Sequence, residues 1–192
     1  MEPSSDRDEE VETQIMLLET PYGDGPHLRE RETAAAWLVA HAERAYPRLL
    51  KLLDQDRAGV GAIELLPSFN RAESIPSLAR LLAGPEQTAW IAGQALAKHP
   101  HETAGEVLRR ALASPDLEVV IIALDALAIR GDPADCAAVA SAAAAEDARV
   151  RYHAVQAAGT LDCLERSTLE SIAHTDASAD VRDLAARLLK KR

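Results

Sequence analysis

Aromatic side chains are scarce in this 192-residue chain, at 3%: two Trp, three Tyr and one Phe. Cysteine is scarcer still. Cys136 and Cys163 are the only two, too few for the disulfide scaffold of a small secreted fold. They lack a CxxC or zinc-like spacing and read as buried helix cysteines. Long apolar runs are missing too: residues 119–124 form a run of six, against roughly 20 for a membrane span. The opening ten residues show neither the basic n-region nor the apolar h-region of a signal peptide. These absences exclude membrane-spanning, knottin-like and collagen-like chains. They lead to the expectation of a soluble, cytoplasmic protein, long enough to bury a sizeable core.

Basic charge is in short supply. There are 21 Lys and Arg against 31 Asp and Glu, a net charge of −10. Half of that excess lies in residues 1–12, where Glu2, Asp6, Asp8, Glu9, Glu10 and Glu12 face only Arg7. Residues 1–8 are therefore expected to be an acidic, disordered tail ahead of a single domain spanning 9–192. Binding to a phosphate backbone needs concentrated Lys and Arg. The body of the chain has no such concentration, which argues against nucleic acid as a partner.

Alanine is abundant, at about a fifth of the residues, and it has the highest helix propensity. Over residues 117–130, Val119, Ala123, Ala126 and Leu127 recur at the spacing of one helix face. Gly84-Pro85, Ser114-Pro115 and Asp132-Pro133 each suggest a helix start. Gly131 suits a left-handed C-terminal position, and Ser167 with Glu170 fits a capping box.

The organising signal is self-similarity. A shift of 31 residues lays Val119, Ala123 and Ala126 over Val150, Ala154 and Ala157, and a second shift reaches Val181, Ala185 and Leu188. Shifting back reaches Thr88, Ala92 and Ala95. Upstream, residues 46–53 lie over 75–82 at a shift of 29. Two helices per period of about 30 residues indicate an α-solenoid. The fold predicted is all-α, a superhelix of about six helical hairpins spanning 9–44, 46–70, 73–99, 101–131, 133–161 and 164–191. Each hairpin leaves an apolar face that its neighbour must cover.

Residues 147–154 (Asp-Ala-Arg-Val-Arg-Tyr-His-Ala) and 179–186 (Ala-Asp-Val-Arg-Asp-Leu-Ala-Ala) resemble HEAT repeats, in particular the short bacterial kind of phycobilisome lyases. The resemblance covers 46–191 well and 9–44 weakly. It implies a polar ladder in which an Asp and an Arg of successive repeats fix the stacking. Here the arginine occurs at Arg151 and Arg182, while Val120 and Ala89 replace it earlier, so packing is expected to set the register there. It also implies that the second helix of each hairpin lines a concave surface.

On that surface the 31-residue shift predicts two columns of side chains. Trp90, Ile121, Tyr152 and Asp183 form one; Gln94, Asp125, Gln156 and Arg187 form the other. An exposed Trp-Ile-Tyr row with polar neighbours has the composition of a binding hot spot. Trp37 falls nearer a core position.

Chemistry is sparsely represented. His99, His101 and Glu102 are the only dense group of metal-type ligands. The iron-dependent deoxyhypusine hydroxylases of the HEAT class hold their metal with several His-Glu pairs, and His101-Glu102 is the single such dipeptide here. It reads instead as a polar helix start. His27, His41, His153 and His174 are scattered; His153 falls near the concave side without an evident nucleophile. No Gly-rich phosphate loop, GxSxG or HExxH motif occurs. The expectation is a non-enzymatic scaffold, without cofactor or metal, that holds a protein or peptide partner on its concave helices. The resemblance offers two alternatives: a bilin-lyase-like protein that handles a chromophore, and a relative of HEAT-type DNA glycosylases. The acidic balance speaks against the latter.

Overall fold

A computed structural model describes residues 4–19 and 26–191. Among them are twelve α-helices and no strand. They pair in chain order as α1 (Ser4–Leu18) with α2 (Pro26–Ala40), α3 (Ala42–Asp54) with α4 (Val60–Leu65), and α5 (Ile75–Leu81) with α6 (Glu86–Lys98). The last three pairs are α7 (Glu102–Ala111) with α8 (Leu117–Arg130), α9 (Cys136–Ala142) with α10 (Ala148–Thr160), and α11 (Arg166–Thr175) with α12 (Ala179–Lys191). These are the six hairpins that the repeat period predicts. The second helices form a continuous row: α4 packs on α6, α6 on α8, α8 on α10 and α10 on α12. No helix among the described residues is long and apolar enough to cross a membrane.

The sequence was expected to be disordered through residue 8, but α1 already begins at Ser4. Residues 1–3 of that segment lie outside the described ones. Val11, Ile15 and Leu18 of α1 are buried, so this helix is held by its apolar face despite its acidic start.

One core runs the length of the stack. Leu38, Leu49, Leu53, Leu66, Leu78, Leu96, Leu108, Leu124, Leu127 and Leu169 are all fully buried along it. Small residues let the helices of the second row approach closely. A Cβ on Gly93 of α6 would stand 2.5 Å from Ile122 Cγ2 of α8, and Ala92, Ala123, Ala154 and Ala185, at equivalent repeat positions, are fully buried.

Helix ends follow local chemistry. Asp116 and Asp147, 31 residues apart, cap α8 and α10 by accepting from the backbone N–H of Glu118 (2.9 Å) and Arg149 (2.9 Å). Gly131 ends α8 with φ +70°. Asp132 accepts from Ala134 N–H at 2.9 Å, as its Pro133 neighbour suggests. Ser114 and Gly84 lie further from their helices than expected, because Asp116 and Pro85 occupy the cap positions. The Ser167–Glu170 capping box does not form. The cap is Glu165, and Glu170 accepts from Arg166 at 3.0 Å instead.

The cysteines differ from expectation. Cys136, the first residue of α9, and Cys163, in the turn after α10, are joined in a disulfide with Cα atoms 5.2 Å apart. Both are half-buried. A helical hairpin returns the chain to where it started, so two residues about one hairpin apart become neighbours in space.

The arginine ladder is present in the last two hairpins. Arg151 grips both oxygens of Asp176 (Nε to Oδ2 and Nη2 to Oδ1, each 2.9 Å) and donates to the carbonyls of Ala145 (3.0 Å) and Glu146 (2.7 Å). Arg182 repeats the second part, donating to the carbonyls of Asp176 (2.6 Å) and Ala177 (3.1 Å). Where Val120 and Ala89 replace the arginine, both side chains are buried in apolar packing.

Candidate functional site

Position along the row of second helices is set by the caps and the ladder. Asp147 starts α10, and the Arg151–Asp176 pair fixes how the turn before α12 sits beside it. Asp176 in turn accepts from the Ser178 N–H at 2.8 Å. Arg151 holds the Asp176 carboxyl below the usual carboxylate range, and Asp176 raises the Arg151 guanidinium. Side chains of α10 and α12 consequently face each other across a cleft of about 480 Å³. Arg149, Tyr152 and His153 line one wall, and Ser178, Asp180, Asp183 and Arg187 the other.

Three residues predicted for the binding surface, Tyr152, Asp183 and Arg187, meet in this cleft. Gln156 is exposed on α10. Trp90 is 52% exposed on α6, an unusual state for so large an apolar side chain. Gln94 and Asp125 are half-buried. Ile121 departs from expectation: it is buried, so the Trp-Ile-Tyr row is not continuous at the surface. The reason is the position of α8. Flanked by α6 and α10 and backed by α7, it buries every residue from Val119 to Leu124. A helix apolar all round has no single inner face to read from periodicity.

His153 Nδ1 stands 2.8 Å from Asp125 Oδ1. An ionised carboxylate can only accept, so Nδ1 carries the proton in this pair and the neutral ring keeps Nε2 as an acceptor. Arg149 forms an ion pair with Glu118 at 2.7 Å and lies 3.5 Å from Asp147. Glu118, Arg149 and Asp180 are successive members of one further column at the 31-residue shift. That shift could have located Arg149 and Asp180 from the sequence, had it been carried to the position three residues before Tyr152.

The histidine-rich segment is structural in its contacts. His99 is 1% exposed and points into the core, with Nε2 3.3 Å from the Arg71 carbonyl and Nδ1 accepting from His101 N–H at 3.2 Å. Burial lowers its pKa. His101 caps α7, accepting from Thr103 N–H at 3.3 Å, and Glu102 is exposed in the first turn of that helix. Among the described residues no three His, Cys, Asp or Glu side chains converge as a metal site would require. Trp37 is half-buried against the core and stacks on His41, with centroids 3.9 Å apart.

Residues 77–159 match the family model for HEAT repeats. That stretch of the chain carries HEAT repeats. Among solved structures, this chain is similar to the complex of CpcE and CpcF of phycocyanin lyase from Nostoc sp. PCC7120, at TM-score 0.47 and 19% identity over 91% of this chain and 74% of that one. It is similar to human deoxyhypusine hydroxylase in complex with glycerol, at TM-score 0.46 and 16% identity over 98% and 99%. An engineered protein is similar at TM-score 0.46 and 20% identity over 94% and 95%. No curated protein matches the sequence.

Proposed function

We propose that this chain is a non-enzymatic scaffold that holds a protein or peptide partner along the exposed side of α6, α8, α10 and α12. One observation carries the reading: a half-exposed Trp90 shares a row of helices with a cleft lined by Tyr152, Asp183 and Arg187. Large aromatic side chains beside polar groups are the composition of interface hot spots. Within the cleft the imidazole of His153 is already engaged by Asp125.

Affinity purification from the native host, with partners identified by mass spectrometry, provides the test. W90A and Y152A should each weaken capture by about tenfold, the range of a moderate hot spot, while circular dichroism shows the helices retained. Capture unaltered in both variants would discard this surface as the binding site.

A further inference from the structure

The geometry points to a basic peptide segment as the occupant of the α10–α12 cleft, with a Lys or Arg side chain received by Tyr152, Asp180 and Asp183. The proposal rests on the scaffold reading above and specifies the chemistry of its partner.

Subtraction of the charges already engaged gives the sign of the ligand. Arg149 is neutralised by Glu118 and Asp147. His153 is engaged by Asp125. The side chains still open at the cleft are Asp180 and Asp183, both exposed, and Arg187 one turn beyond Asp183. Counting the pairs at the rim, carboxylates exceed guanidiniums by five to two. An incoming carboxylate would meet Asp180 and Asp183; an incoming cation is attracted by both. The Tyr152 ring, edge-on to His153 with centroids 5.7 Å apart, adds an aromatic surface of the kind that favours guanidinium and ammonium groups.

The row of helices also sets a length. Trp90 lies on α6, two helices from α10, and packed helices stand about 8–10 Å apart. The cleft and Trp90 are then about 20 Å apart, which an extended chain at about 3.3 Å per residue spans in about six residues. Leu117, the first residue of the intervening α8, is a further exposed apolar side chain on this row of helices. The recognised segment carries a Lys or Arg at the cleft and an apolar residue about six positions away at Trp90.

Fluorescence anisotropy of the full chain with labelled peptides tests this. One peptide carries a Lys-Arg pair and a Leu six positions apart; its counterpart has Glu-Glu in place of Lys-Arg. The basic peptide should bind in a salt-sensitive manner, and D180N/D183N should weaken it about tenfold. The equal charge change E9Q/E10Q, on the exposed surface of α1 at the other end of the array, should alter binding by less than about twofold. Tighter binding of the acidic peptide, or equal losses in the two double variants, would overturn the proposal. Should neither peptide bind while partner capture stays sensitive to W90A, this inference fails and the scaffold reading stands. If capture is insensitive to W90A and Y152A, the scaffold reading itself fails.

Discussion

His99 ties two loops together through one neutral imidazole. Its Nε2–H donates to the Arg71 carbonyl, its Nδ1 accepts from His101, and its own carbonyl accepts from Arg130 Nη1 at 3.1 Å. Protonation would deprive His101 N–H of its acceptor and place a cation in the core near Arg130. Burial therefore holds the folded pKa below the ordinary histidine value of 6.5. The unfolded chain binds this proton more readily, so the stabilisation is whole above pH 6.5 and declines as pH falls below it. Urea unfolding across that range should show wild-type stability dropping with acid, and H99Q should show a flatter dependence from a lower starting value. A steeper slope in H99Q would contradict this assignment. At this scale the sequence is least informative. Ile121 has the spacing of an exposed residue and is buried; Ser167 has the spacing of a cap and is not one. Both outcomes depend on neighbours that are distant in the chain.

The fifth hairpin, α9 and α10, is closed covalently by Cys136 and Cys163, and it supplies the Arg149–Tyr152–His153 wall of the cleft. Cross-linking a loop of this size restricts the unfolded chain by about 3–4 kcal/mol in the chain-entropy account. Addition of a reductant, or C136S, should thus lower the thermal midpoint, with the greatest loss of amide protection in residues 136–163. An unchanged midpoint would mean that packing alone holds the hairpin. Helix positions were readable over residues 46–191 because the apolar spacing recurs from hairpin to hairpin. The disulfide was not, because a sequence separation of 27 carries no sign of contact until the hairpin is recognised as bringing its two ends together.

Across the whole molecule, each hairpin is covered by its neighbours and stability sums over adjacent contacts. Central α6 and α8 are covered on both sides; α1 and α12 stand at the two ends of the described array. Native-state hydrogen exchange should be slowest in α6 and α8 and faster toward both ends. Uniform protection would indicate a single cooperative unit instead. The surface was legible in proportion to the fidelity of the repeat. Tyr152, Asp183 and Arg187 share a cleft because the 31-residue shift holds through α12, whereas the chemistry of the ligand needed the ion pairs that cancel Arg149 and occupy His153, and those are three-dimensional facts.

Arg151 anchors the turn ahead of its own helix and the turn ahead of the next one with the same guanidinium. The two walls of the groove are thus bolted to a common frame, and neither can swing without breaking that clamp. The aperture has a fixed calibre before anything enters it. Selection at such an opening works by exclusion of what is too wide or wrongly charged, and little of the binding energy is diverted to reshaping the host.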